Sequence, residues 1–214
     1  MGGPAWNDDP DTPRLRTNLD SVAVEVFDHA QSGVRPDRDL PRRWHQRMLE
    51  GVEVPSDAYR GGYRGESHPD LRNYAVAVQG IPAVPPKDVS GQLTKLMTWL
   101  RNEIRALDRM NDVISRAEGD RKKRQLELDK EVVRVAAGLH GEWVRIHPFV
   151  NGNGRTARMW VLWVTSRYGL RPLLPLRPRP SAPYGDVARA SLATGEHSTT
   201  TTYLLQLYSR TQHD

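Results

Sequence analysis

The sequence predicts an all-α fold, a helical bundle carrying one small β excursion. Three observations predict it. Apolar residues recur at three- and four-residue spacing through most of the chain. A single run, NYAVAVQG, alternates with the period of a strand. Glycines and prolines punctuate the periodic stretches where helices should end. With 214 residues there is room for one sizeable core and short appendages.

Taken in order, residues 1–16 are rich in Gly, Pro and Asp and are expected to form a disordered tail. Between Asp20 and Ala30, Val22, Val26, Phe27 and Ala30 share one helical face, with Asp20 or Ser21 as its cap. This helical extension covers residues 17–36, and the main domain covers 37–210. Leu40, Trp44 and Met48 recur every four residues, with Pro41 suited to a first turn and Gly51 to a stop. The glycine-rich YRGGYRGESHPDLR should be irregular, and NYAVAVQG should be a strand stopped by IPAVPP.

Val89, Leu93, Leu96, Met97, Leu100, Ile104 and Leu107 outline a long amphipathic helix. The charged RAEGDRKKRQ reads as a solvated loop or exposed helix end. Leu128, Val132, Val135, Ala136, Leu139, Trp143 and Ile146 outline another helix, which His147-Pro148 ends because proline disfavours helical continuation. A third helix runs from about Gly154 to Tyr168. Its MWVLWV segment is apolar nearly all round, so it belongs at the centre of the bundle. RPLLPLRPRP is an extended connection, and short helices near 184–194 and 200–209 finish the chain.

Hydrophobic content is 37% and charged content 27%, and no apolar run of eighteen residues exists, so no membrane span is expected. The N-terminus lacks a basic stretch followed by an apolar one, so no secretory signal is expected. The absence of cysteine excludes disulfides and thiolate metal sites and is compatible with a cytoplasmic protein. The net charge of +5 is scattered among acids, so nucleic acid is not an expected partner.

The chemistry gathers in HPFVNGNGRTAR, residues 147–158. A glycine loop feeding a helix N-terminus is an anion site, because unpaired backbone N–H groups and the helix dipole converge there. Arg155 and Arg158 lie three apart and emerge from one face, suited to phosphate oxygens. His147, at the other side of the loop, is the natural general base near neutral pH. Together they suit the deprotonation of a hydroxyl aimed at a phosphorus atom.

This stretch closely resembles the signature of Fic-domain proteins, HPFx(D/E)GN(G/K)RxxR, departing only at Asn151, where the family has an acid. The resemblance extends over about residues 37–208 and includes Gly62-Tyr63-Arg64 as the family's Gly-x-Arg element. It implies a Fic-type helical bundle with a small hairpin flap. The implied activity is transfer of AMP from ATP to a Ser, Thr or Tyr hydroxyl of a target protein, assisted by Mg²⁺. By this resemblance His147 is the base and Phe149 packs the loop into the core. Gly152, Asn153 and Gly154 form the anion hole, while Arg155 and Arg158 hold the outer phosphates. The flap, centred on Tyr74, Ala75, Val76, Ala77 and Val78, pairs with an extended stretch of the target.

Asn151 is then the metal candidate, with a neutral oxygen where magnesium prefers a carboxylate. Three outcomes stay open: weaker metal binding, a different transferred group, or a nucleotide-binding module with little turnover. The family's inhibitory pattern (S/T)xxxE(G/N) is approached by Ser21 to Glu25, with Val26 in the final place. Glu25 would pair with Arg158. Otherwise a small inhibitory protein of the antitoxin kind is the expected regulator.

Overall fold

The computed structural model describes residues 3–6, 12–116 and 119–212. Helix α1 spans Pro13–Gln31, earlier than expected. Thr12 caps it by accepting the Leu15 N–H, and Pro13 fills the first turn, where a missing N–H costs nothing. Leu15, Leu19, Val22, Val26 and Ala30 form its buried stripe. The expected disordered tail is therefore corrected at two places. Pro13–Arg16 are helical, and Trp6 is buried against the Tyr59 ring, 6.1 Å between centroids. The remainder of that tail, residues 1–2 and 7–11, lies outside the described residues.

Helix α2 (Asp39–Met48) buries Leu40, Trp44 and Met48, as the four-residue spacing requires. The glycine-rich stretch that follows contains a short 3₁₀ turn, Asp57–Tyr59, and a one-turn helix α3, Pro69–Arg72, where an irregular loop was expected. Proline in the first turn and the His68 ring nitrogen accepting the Asp70 N–H are enough to close that turn.

The β excursion is a hairpin, β1 (Ala77–Val78) with β2 (Ile81–Pro82), shorter than the alternating run from which it was read. Its strands are antiparallel, Ala77 opposite Pro82 and Val78 opposite Ile81. Gln79 and Gly80 both have positive φ, 50° and 80°, as a type I′ turn needs.

Helices α4 (Pro86–Arg116), α5 (Arg121–Ile146) and α6 (Asn153–Arg167) follow. The charged segment is split: Arg121–Gln125 are the largely exposed opening of α5, and residues 117–118 lie outside the described residues. Helix α6 is the central element, packed against α5 and α1. Trp160 and Trp163 are fully buried on it, and Trp160 meets Trp44 and Trp143 edge-on at 4.9 and 5.9 Å. Helices α7 (Tyr184–Thr194) and α8 (Ser198–Thr211) pack on the remaining side of α5. Among the described residues no helix is long and apolar enough to cross a membrane.

Candidate active site at the start of α6

The loop between α5 and α6 turns on two left-handed residues. His147 ends α5 at φ 53°, and its N–H still bonds the Trp143 carbonyl at 2.9 Å. Gly152 caps α6 at φ 79°, a conformation that favours glycine. A Cβ there would also lie 2.8 Å from Met48 Cε and 2.9 Å from His45 Nε2, so the backbone approaches α2 as closely as it can.

Between these ends, side chains satisfy the loop's own backbone. Asn153, 2% exposed, accepts the Phe149 N–H and donates to the Phe149 carbonyl, each at 2.9 Å. Asn153 thus spends its side chain on the loop itself. What it can offer is its backbone N–H at the first position of α6. The Thr156 N–H bonds the Gly152 carbonyl at 3.0 Å, closing the first turn. The Gly152 cap position makes no side-chain cap bond, and the first turn carries no acid. That end of α6 is open to an anion.

The histidine is poised by its own helix. His147 Nδ1 lies 3.1 Å from the Val144 carbonyl, which can only accept, so Nδ1 carries the proton and Nε2 keeps its lone pair. Burial pushes the His147 pKa down to about 4, the Val144 bond opposes this, and the Arg64 charge adds to it. The ring is therefore neutral around pH 7.

Arg64 is 1% exposed and spends its guanidinium on four carbonyls. Nε donates to His147 at 2.7 Å, Nη1 to Tyr74 at 3.1 Å, and Nη2 to Val84 and Ile146 at 2.9 Å each. Hydrogen bonds from a charged donor are worth about 1.5–3 kcal/mol each. Burial lowers its pKa to about 10, which leaves it charged. Close approach of this element requires Gly62, where a Cβ would meet the Ala58 carbonyl oxygen at 2.1 Å.

The two motif arginines differ. Arg155 is half-buried on the first turn of α6, and its charge reaches the His45 ring. Arg158 is 4% exposed, with Nη2 donating to the Leu176 carbonyl at 3.0 Å and Nη1 to the Tyr184 hydroxyl at 3.4 Å. Its Nη1 also lies 3.5 Å from where a Gly154 Cβ would stand, so the guanidinium sits beside the first turn of α6. Glu25 is not its partner: Glu25 Oε1 faces His29 Nε2 at 3.9 Å on its own helix. The expected inhibitory pair is not formed, because Arg158 turns inward to Leu176 and Tyr184.

In the flap, Tyr74 is an anchor rather than a docking residue. Its hydroxyl accepts the Trp6 N–H at 3.1 Å and its ring meets Tyr59 edge-on at 5.5 Å. The Ala83 N–H bonds the Val76 carbonyl at 3.0 Å. Hydrogen-bonded and non-bonded pairs alternate, so Ala77 and Pro82 exchange no bonds and Ala77 turns its N–H and C=O outward. Pro82 offers no N–H to the opposite edge. Of the flap residues, Ala75 and Ala77 are exposed while Val76 and Val78 are half-buried.

A magnesium ion does not fit the residues present. The Asn151 side-chain oxygen accepts the Gly152 N–H at 2.5 Å, and it is neutral. Among the described residues no three His, Cys, Asp or Glu side chains converge. A cation arriving with a nucleotide would be held by phosphate oxygens and water rather than by carboxylates of this chain.

His45 is the residue that sequence reading missed. It is fully buried on α2, with Nδ1 accepting the Gly61 N–H at 3.1 Å and Nε2 3.0 Å from the Asn151 carbonyl. Its ring stacks on Phe149 at 3.8 Å between centroids. No local pattern marks such a residue, since both partners are distant in sequence.

Fold and loop together define a helical bundle that brings a neutral histidine and two arginines to the start of one central helix. The chain belongs to the Fic/DOC family, whose sequence model matches residues 36–165. It is 28% identical over 136 residues to the protein adenylyltransferase fic-1 of Caenorhabditis elegans, 63% of this chain and 20% of that protein. It is 46% identical over 44 residues to a uridine 5'-monophosphate transferase of Xanthomonas campestris, 21% of this chain and 8% of that protein. The chain thus spans no more than a fifth of the length of these curated relatives. A crystal structure of a Fic domain containing signaling protein from Bacteroides thetaiotaomicron superposes with a TM-score of 0.61 at 20% identity. That match covers 92% of this chain and 67% of the other, and it establishes the common fold.

Proposed function

We propose that this chain transfers a nucleoside monophosphate from a nucleoside triphosphate, ATP in the first instance, to a Ser, Thr or Tyr hydroxyl of a target protein. The observation that carries this is the His147 tautomer, fixed by Val144 so that Nε2 can take a proton, beside the open N-terminus of α6. The hydroxyl proton passes to Nε2, the hydroxyl oxygen bonds the α-phosphorus, and the bond from that phosphorus to the bridging oxygen breaks. Pyrophosphate leaves, and the target keeps a phosphodiester.

The N–H groups of α6 and the two arginines meet the charge that develops on the phosphates. The target lies as an added strand along the outer edge of Ala77. With Glu25 turned to His29, any inhibition would come from a separate protein. The C. elegans and X. campestris relatives carry names for AMP and UMP transfer, which support nucleotidyl transfer as the class and make ATP and UTP the donors to compare.

The test incubates the protein with ATP or UTP labelled at the α-phosphate and with a cell lysate. Wild type should label a protein band. His147→Ala should bind nucleotide unchanged and lose about 10²–10⁴-fold in transfer. Nucleotide binding without labelling in wild type would favour a binding module instead, and undiminished transfer by His147→Ala would remove the base from His147.

A further inference from the structure

His45 does more than fill space beneath the loop. Its Nδ1 accepts the Gly61 N–H and is therefore unprotonated, so in the neutral ring Nε2 carries the hydrogen and donates it to the Asn151 carbonyl. A trans peptide is planar, with its C=O and N–H pointing in opposite directions. Anchoring the Asn151 carbonyl on His45 therefore aims the next N–H, that of Gly152, away from α2. On that side the Asn151 side-chain oxygen meets it at 2.5 Å.

We propose that His45 is a positioning residue that aims the Gly152 amide into the anion site, and that the Asn151 side-chain oxygen holds the place of a phosphate oxygen on that amide. This rests on the reading of the α6 N-terminus as an anion site. Four features converge on it. The ring is fully buried, both of its nitrogens are bonded to backbone, it stacks on Phe149, and Gly152 approaches it too closely for any Cβ. One ring therefore ties the segment at Gly61 to the peptide plane that opens α6. When an anion arrives, the Asn151 oxygen gives up the Gly152 N–H, and the peptide itself does not need to turn, because His45 already holds it.

Two variants separate aiming from packing. His45→Phe keeps a flat ring on Phe149 but leaves the Gly61 N–H and the Asn151 carbonyl without partners. His45→Gln can still donate to the carbonyl. Both are made in the His147→Ala background, so that binding is read without turnover. The readouts are calorimetric affinity for ATP and for inorganic pyrophosphate, the Gly152 amide signal in ¹⁵N-correlated NMR spectra, and the thermal midpoint.

His45→Phe should weaken both ligands about tenfold to a hundredfold, as loss of one hydrogen bond to a charged group does. The Gly152 signal should shift on ligand addition in the parent and in His45→Gln, and stay still in His45→Phe. His45→Gln should recover most of the affinity even at a lowered midpoint. The proposal is overturned if a folded His45→Phe binds both ligands as the parent does. It is equally overturned if affinity follows the thermal midpoint in both variants with no rescue by Gln. Should His45→Phe not fold, the parent and His45→Gln decide: an unmoved Gly152 signal in either refutes the aiming role. Pyrophosphate binding without ATP binding would retire the nucleotide reading and leave His45 in its role. Failure of the parent to bind either would retire both.

Discussion

Moving the protein from about pH 7.5 to about pH 5 asks two histidines that water does not reach to take up protons. His45 and His140 are both 0% exposed. Burial drives His45 down to about 4, against the Asn151 bond and with help from the Arg155 charge. Burial also drives His140 down to about 3, with the charges of Arg158 and His197 adding to it. His140 Nε2 lies 2.9 Å from the Tyr184 hydroxyl, and no acid faces it to favour the charged ring.

The sign follows from the two states. Unfolded, each ring titrates near 6.5, so below that pH the unfolded chain binds protons that the folded chain refuses. The stability these rings contribute is complete above about pH 6.5 and drains as the pH falls toward their folded values. At pH 5 each ring has lost about 1.5 pH units of linkage, or about 2 kcal/mol, so the two together lose about 4 kcal/mol. His147 adds to this in the same direction. Burial pushes Glu142 up, but its bonds to Arg145 and His197 outweigh that and hold it at about 2, so its own loss begins only below the usual 4.5.

Domains of this size are stable by about 5–15 kcal/mol, and 1 kcal/mol moves their midpoint by about 2–4 °C. Thermal melts followed by far-ultraviolet circular dichroism should therefore fall by about 8–16 °C between the two pH values from these two rings alone, and by more with His147. His140→Phe should remove about 4–8 °C of that pH dependence, whatever it does to the midpoint at neutral pH. A fall of less than about 3 °C in wild type would mean that these rings take up protons inside the fold, and the reasoning from burial would be refuted.

Three further outcomes follow from the site. Ala77→Pro removes the outward N–H of the flap while sparing the Ala83–Val76 bond, so it should weaken target modification at least tenfold, roughly the loss of one interface hydrogen bond, and leave ATP affinity unchanged. An equal loss in both assays would assign the hairpin a purely structural part. Wild-type affinity for ATP should be indifferent to EDTA, whereas Asn151→Asp should make it rise with Mg²⁺; a wild type that needs Mg²⁺ to bind would show that phosphates and water do not suffice to describe the ion here. Glu25→Ala should leave ATP affinity as it is, since Glu25 faces His29, and a gain of tenfold or more would restore the inhibitory pair with Arg158.

The long helices and the glycine turn that opens α6 were legible because their signals are local. The stripes of α4 and α5 and the all-apolar MWVLWV of α6 state their own burial, and Gly-Asn-Gly marks where α6 begins. The start of α1 was equally local, in Thr12-Pro13, but lay hidden in a polar run, where Leu15 and Leu19 continue the stripe of Val22 and Val26. His45, Tyr74 and the inward turn of Arg158 were not legible. Each is defined by partners from 10 to more than 100 residues away, such as Gly61, Asn151, Arg64 and Leu176, and a stripe or a motif carries no record of those. Glu25 failed for the opposite reason: a Ser and a Glu four apart recur on any helix, and here the spacing serves His29.

Arg64 has one more implication. A single guanidinium grips the carbonyls of Tyr74 and Val84, where the hairpin leaves and rejoins the body, and those of Ile146 and His147, where the base is mounted. The roots of the hairpin and the His147 imidazole are thus parts of one rivet, while Gln79 and Gly80 at the tip lie outside it. If the proposed function holds, residues along the exposed edge can be exchanged to suit a new client without re-surveying the distance from that edge to His147. Changing the preference and keeping the reaction become separate edits, and a lysine, with one point of attachment in place of a fork, would fuse them into a single problem again.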